Sequence, residues 1–415
     1  MRTFLRHFIF VTFLVSLTCP SFSLTLPEAL DMARKHPVLK LHDLKIQGLQ
    51  YEAIDSSARG PANLAITSEN FGGKTGFSEL ETTLEISLPL ADSRRVNARK
   101  KLAESNIRLG KLEKETARWL ILSQTRRAFN RALAIKALTD KAKENIDNSE
   151  KLLNASRIMV ESGAVAEQEI YQAELVVKQA KFDLQSLSGT LEEAKAELVT
   201  SMGLESMTEI ELTGSITAEL ELEPFDEIEK FIINSHPEVA TLQAETGRTQ
   251  AQLNLIRSEN RPIWSITAGA RNLGETGNND FLIGFSVEIP HSRDNKGERA
   301  ALKTDLDRLV LEKQNSQREL RLKLKSAIQK FKRLQQQAIE LRDEILPSAY
   351  QLFELSLTGY QLGKTDQLVV LQAQKEFLSQ KESYLQRLDE LYEAADSIES
   401  LAGRTDLNDS FAVTN

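Results

Sequence analysis

The stretch from Pro61 to Pro89 recurs from Pro262 to Pro290, and this duplication limits what the chain can become. Each copy leaves a helix-like segment through a proline, makes two alternating runs around a polar, Gly-containing loop, and closes at Leu88-Pro89 or Ile289-Pro290. In the return run of the first copy, Leu80, Thr82, Leu84, Ile86 and Leu88 share one face, and Glu79, Glu81, Thr83, Glu85 and Ser87 the other. In the second, Phe281, Ile283, Phe285, Val287 and Ile289 oppose Leu282, Gly284, Ser286 and Glu288. A period of two places successive side chains on opposite faces of a strand, so each copy reads as a β-hairpin with one oily and one polar side. Soluble half-buried sheets carry the same alternation, and the neighbouring segments decide the setting.

The first of these is the leader. Arg2 and Arg6 precede an apolar run from Phe8 to Leu17, and Ser21-Phe22-Ser23 offers small residues where a signal peptidase reads, so residues 1–23 are an export signal. Its removal makes the formal charge of −8 two units more negative. The single cysteine, Cys19, lies inside this leader. It is either a passenger or a lipid attachment site, and the bulk of Thr18 before it argues against lipid processing. After residue 23 no apolar run reaches the roughly 20 residues of a membrane helix. An exported chain of this kind enters a membrane only as a β-barrel, because helices and closed barrels alone satisfy their backbone in lipid.

The mature chain is one plan executed twice. Leu26 to Lys35 forms a short amphipathic helix broken at His36-Pro37, and helix resumes to about Ser57; Phe225 to Ser235 is broken at His236-Pro237, and helix resumes to about Glu259. Proline biases the residue before it away from helical geometry, so each repeat opens with a bent helix pair, and both histidines read as structural break points rather than metal ligands. The hairpins follow, 62–90 and 262–290, with runs of about ten residues, which at a tilt match bilayer thickness. Their expected loops are Gly72 to Gly76 and Asn272 to Asp280.

Long helices come next. Residues 92–161 contain no proline and only Gly110 as a weak point, and in 293–361 the breakers are Pro347 and Gly359. Seventy helical residues span roughly 100 Å, which no compact globule contains, so such helices pack against equally long partners. Each ends at a glycine, Gly163 or Gly363, that permits a left-handed cap and a chain reversal. The return helices are 164–201 and 364–402. The first carries Ala173, Val177, Ala180, Leu184, Leu187, Leu191, Ala194 and Leu198, a 3.5-residue period that marks a coiled-coil seam. Six of the eight positions two hundred residues on stay apolar. The first repeat thus spans 24–203 and the second 225–402, with an acidic linker at 204–224 holding at most one short strand, and a loose tail at 403–415.

The chemistry of an enzyme is missing from this pattern. There is no phosphate-cradling glycine loop, no thiol in the mature chain, and only five histidines, none in a metal-binding spacing. The carboxylates interleave with lysine and arginine as on solvated helical faces. The expectation is no catalytic residue, no cofactor, no bound metal and, at a negative net charge without a basic cluster, no nucleic-acid partner.

Bent helix pair, hairpin, long helix, glycine tip and seam helix, all twice, resemble the outer-membrane efflux proteins, the TolC-type channels. The resemblance covers residues 24 to 402 and rests on the paired His-Pro breaks, on Gly163-x9-Ala173 and Tyr360-Gln361-Leu362-Gly363-x9-Ala373, and on hairpins set between long helices. Ser68-Glu69-Asn70-Phe71-Gly72-Gly73 looks like the first hairpin of the branch serving heavy-metal (cobalt, zinc, cadmium type) exporters.

The resemblance implies a mainly α protein with transmembrane β: a homotrimer in which each protomer gives four strands to a twelve-stranded barrel and its helices to a coiled-coil periplasmic tube. Four strands cannot close a barrel, and open edges are forbidden in lipid, so assembly is required. Leu80, Leu84, Ile86, Phe281, Ile283, Phe285 and Val287 are then expected to face outer-membrane lipid, and Glu81, Glu85 and Glu288 the lumen. The tips, Ser162, Gly163, Ala164, Leu362, Gly363 and Lys364, are expected to meet the periplasmic adaptor (membrane fusion) protein that links the channel to an inner-membrane pump. Relatives that gate with acids six and nine residues past the second glycine have no counterpart here, since those positions are Val369 and Gln372; the first repeat has Glu169 and Gln172, which leaves Glu169 as a one-acid ring or a solvated helix residue. The implied function is passive export of heavy-metal cations, drugs or other small molecules in a tripartite system. The competing reading is a periplasmic coiled-coil scaffold or adaptor with a small soluble sheet.

Overall fold

The structure is a computed structural model that describes residues 22–56, 60–72, 76–206, 210–220, 226–230, 236–289 and 295–402. The tail and most of the leader, including Cys19, lie outside the described residues, as do Pro290 and Phe225. Both His-Pro breaks open a helix as the sequence dictates. After α1 (Leu26–Ala33), His36 becomes the N-cap of α2 (Pro37–Asp55), its Nδ1 accepting from the Val38 amide at 3.2 Å with proline in the first turn. His236 repeats this for α5 (Pro237–Glu259), accepting from the Glu238 amide at 3.2 Å. Proline suits a first helical turn, where its missing N–H has no partner to lose. His236 is buried and meets Trp119 edge-on, with ring centroids 5.7 Å apart; burial, the largest influence, holds its pKa below the usual value.

Between the pairs runs α3 (Ser93–Glu161), capped by Asp92, whose carboxylate accepts from the Arg94 amide at 2.9 Å. It returns as α4 (Gln168–Ser201), and both pack along their length. In the second repeat α6 (Lys296–Glu340) passes through a π-helical turn (Leu341–Ile345) into α7 (Leu346–Gln361), and α8 (Gln367–Ala402) returns. Pro347 therefore does not stop the helix. The wider turn in front of it absorbs the hydrogen bond that proline cannot make. The return helices start four and three residues later than expected, because the chain needs that length to reverse.

The sheet order is β2 (Asn63–Glu69), β3 (Glu81–Pro89), β5 (Ile263–Leu273) and β6 (Asn279–Glu288), all antiparallel. The hairpins of the two repeats thus lie side by side through the β3–β5 ladder, leaving β2 and β6 as open edges. β2 is shorter than expected, ending before Asn70, which takes a left-handed conformation with φ 55°. The second hairpin is longer: Asn272 pairs with Asn279, its amide donating across at 2.8 Å, so the loop shrinks to 274–278.

A separate two-stranded parallel ribbon joins β1 (Phe22–Leu24) to β4 (Ile210–Leu212) in the linker. The Ser23 and Thr213 hydroxyls meet at 2.7 Å. The expected leader boundary after Ser23 therefore falls within β1, a hydrogen-bonded strand. Leu24, Ile210 and Leu212 are buried against Phe129, Leu133 and Leu198. A second core, around Leu324, Phe331 and Leu391, holds α6 to α8, and a third joins the tips. The seam residues Ala173, Val177, Ala180, Ala194 and Leu198 are buried, and Leu184, Leu187 and Leu191 half-buried. Among the described residues no helix is long and apolar enough to cross a membrane.

Candidate functional site: helical tips and barrel faces

Each tip reverses through the same backbone device. The Gly163 amide donates to the Val160 carbonyl at 2.9 Å and the Ala164 amide to Met159 at 3.0 Å; two hundred residues later Gly363 donates to Tyr360 at 2.9 Å and Lys364 to Gly359 at 2.8 Å. This nested pair with a left-handed residue between is the Schellman cap, and the glycines sit at φ 70° and 68°. A Cβ on either would meet nothing within 4 Å, so backbone conformation, not crowding, calls for glycine. Ser162, Gly163, Ala164, Leu362, Gly363 and Lys364 are all exposed.

Just above the caps the two helical hairpins are fastened together. Their shared core contains Leu152, Ala173, Phe353, Tyr360, Val370 and Phe377. A line of polar contacts runs beside it. The Tyr360 hydroxyl donates to the Glu169 carboxylate at 2.5 Å, Gln367 Nε2 donates to the Ser156 hydroxyl at 2.9 Å and to the Glu169 carbonyl at 2.8 Å, and Gln374 Nε2 donates to the Ser149 hydroxyl at 3.0 Å. Burial, followed by the hydrogen bond to Glu169, pushes the Tyr360 hydroxyl up to about 12. Within the chain Glu169 is half-buried, and its carboxylate accepts from Tyr360. Gln172, Val369 and Gln372 are exposed. Tyr360, Gln367 and Gln374 escape sequence reasoning, since their partners lie about two hundred residues away and only the packing of one hairpin on the other unites them.

A second junction ties α8 to α3 higher up. Arg126 pairs with Glu399, and Asn130 donates to both oxygens of Asp396 at 3.1 Å. Burial dominates here too: it raises the Asp396 carboxyl to about 6 against the opposing pull of Asn130, Arg126 and Arg127.

The sheet separates its faces cleanly. The ladder puts Leu64, Ile66, Leu84, Ile86, Leu88, Trp264, Ile266, Phe281, Ile283, Phe285 and Val287 on one side, where all are exposed. Phe281 is 88% and Ile283 79% exposed, values no soluble sheet tolerates over so large a continuous patch. Leu80 shares their parity but lies one residue before β3 and is half-buried. Glu81, Glu85 and Glu288 occupy the opposite face, together with Arg271, whose guanidinium sits 3.4 Å from Glu81 and donates to the Thr83 hydroxyl at 3.1 Å. The pairing of β3 with β5 brings this arginine to the acids, and neither hairpin alone reveals it.

Known proteins agree with this geometry. The family profile described as outer membrane efflux protein matches residues 53–204 and 231–404. The cobalt-zinc-cadmium resistance protein CzcC of Cupriavidus metallidurans is 25% identical over 330 residues, covering 80% of this chain and 79% of its own. The nickel-cobalt-cadmium resistance protein NccC of Alcaligenes xylosoxydans xylosoxydans is 25% identical over 286 residues, 68% of this chain and 64% of its own. Among solved structures, CusC, studied for conformational changes accompanying folding and transmembrane channel formation, superposes with a TM-score of 0.75 at 15% identity over 91% of this chain and 92% of its own. With its twofold repeat, glycine-capped tips and two-faced sheet, the chain belongs to the outer membrane efflux protein family.

Proposed function

We propose that this protein is the outer-membrane duct of a tripartite heavy-metal exporter, assembled as a homotrimer. The observation that carries the reading is the four-stranded sheet with open edges at β2 and β6 and one uncovered apolar face. Unpaired edges are excluded from lipid, so the strands close only with those of sister copies. Closing the cylinder turns Glu81, Glu85 and Glu288 to the lumen, where the acids favour cations modestly without choosing among them. Arg271 offsets Glu81, which keeps that preference weak. Cargo selection is assigned to the inner-membrane pump.

The exposed tips at Gly163 and Gly363 are the docking points for the adaptor, and opening is an untwisting of the helices behind them. Cobalt, zinc and cadmium are the proposed cargo, from the resistance activities in the relatives' names. The scaffold reading is set aside, because a soluble scaffold has no use for a bilayer-height apolar face. The test is twofold: purified protein in planar bilayers is expected to show steady conductance, and deletion of the gene to raise cellular cobalt, zinc or cadmium. Absence of conductance from correctly assembled trimers overturns the duct; normal metal tolerance in the deletion strain overturns the cargo.

A further inference from the structure

Where the sheet meets the helices, three arginines gather without acidic partners. A cleft of about 510 Å³ is lined by Arg95, Arg99 and Arg261 together with Leu90, Asp92 and Trp264. Asp92 is already engaged as the cap of α3. Among the described residues none of the three arginines has a carboxylate within ion-pair distance, and Arg99 and Arg261 make no side-chain hydrogen bond. Arg95 donates through Nη2 to the carbonyls of Glu259 and Arg261 at 3.1 Å each, which holds it against the end of α5, while its Nε is buried with no partner. Three positive charges converge, and among the described residues that line the cleft the one carboxylate is Asp92, already engaged as a cap.

The position of the cleft narrows the ligand. Trp264 and Leu90 share the exposed apolar face with Leu88 and Ile266, and the Leu90 amide extends the ladder by donating to the Trp264 carbonyl at 2.7 Å. With this face in the membrane, Trp264 sits at the periplasmic boundary, the level at which tryptophan is enriched and headgroups lie. β3 and β5 are inner strands, so the cleft is removed from the edges that neighbouring copies close. Guanidinium groups present planar pairs of donors suited to phosphate oxygens, and basic pockets at this depth hold anionic headgroups.

We infer that this cleft binds the phosphodiester headgroup of an anionic phospholipid from the periplasmic leaflet, with Arg99 and Arg261 contacting the phosphate, Arg95 setting the floor, and an acyl chain running up beside Trp264 and Leu90. In the register that matches Pro61 with Pro262, Gly60 stands opposite Arg261, so the other copy of this junction lacks that arginine. The inference rests on the membrane placement of the barrel, and the experiment keeps the two apart.

Detergent-purified protein is titrated with phosphatidylglycerol and followed by native mass spectrometry, which reports oligomeric mass and lipid count in one spectrum. The wild type is expected to retain one phosphatidylglycerol per chain, and R99Q/R261Q to bind it roughly tenfold more weakly, about 1.4 kcal/mol. K100Q/K101Q removes the same charge from exposed positions of α3 and is expected to match the wild type. If R99Q/R261Q loses its assembled mass, R261Q alone replaces it, with at least a threefold loss expected. Equal retention by the arginine variants and the wild type, an equal loss in K100Q/K101Q, or inorganic phosphate competing as well as the lipid at the same concentration would each overturn the proposal.

Discussion

Tyr360 and Glu169 meet at the tip through one short hydrogen bond, and their contact supports a direct prediction. A hydrogen bond to a charged group contributes about 1.5–3 kcal/mol, and partial exposure puts this one near the lower figure. Y360F and E169Q should therefore still assemble yet unfold at a lower temperature than the wild type; an unchanged thermal midpoint in both would remove this pair from the contacts that fasten the two helical hairpins together. Asp396 makes a pH prediction. Its carboxyl is raised from 3.8 to about 6, so the folded chain holds that proton more tightly than the unfolded chain. The contribution favours folding below that window and is lost as pH rises through about 6. Thermal unfolding should show the midpoint falling between about pH 4 and 6 through this group and levelling above it, and D396N should flatten the fall. Glu169 could be picked out in the sequence as an acid near a tip, but its role could not, because periodicity marks a buried seam without saying which distant helix fills it.

At the scale of elements, the sequence was most legible where backbone chemistry is local. The His-Pro breaks, the glycine ends of α3 and α7 and the alternation of the strands each follow from a few adjacent residues, and the structure places all of them as expected. What was not legible depends on partners: the extra length of β5 and β6 comes from an Asn272–Asn279 pairing, and the helix that runs on through Pro347 by way of a π turn lies against α8. The caps carry their own test. G363A forces a side chain into left-handed geometry at a cost of about 1–2 kcal/mol and should leave efflux largely intact. G363P also removes the amide that donates to Tyr360 and fixes φ near −65° against the observed 68°, so efflux should fail while protein still reaches the outer membrane. Efflux assays beside membrane fractionation separate the two, and full activity in G363P would show that the reversal is not needed for docking.

For the whole molecule, the twofold repeat was legible, whereas the order of the strands was not, since nothing local says that the two hairpins lie next to each other. Extracted in mild detergent, the protein should have the mass of three chains, and a stable monomer would contradict the open-edged sheet. The polar contacts between the helical hairpins carry the last consequence. Inside one chain Tyr360 holds Glu169 and Gln374 holds Ser149, but the positions two hundred residues away are Val160 and Val369 for the first pair and Glu174 and Ala349 for the second, and neither can form the bond. In the proposed ring of three copies, these boundaries within a chain are then expected to alternate with weaker ones between chains. On that reading the mouth parts as three leaves instead of dilating like a six-bladed iris, so a disulfide staple across two neighbours should jam it, while a staple within one leaf should go unnoticed.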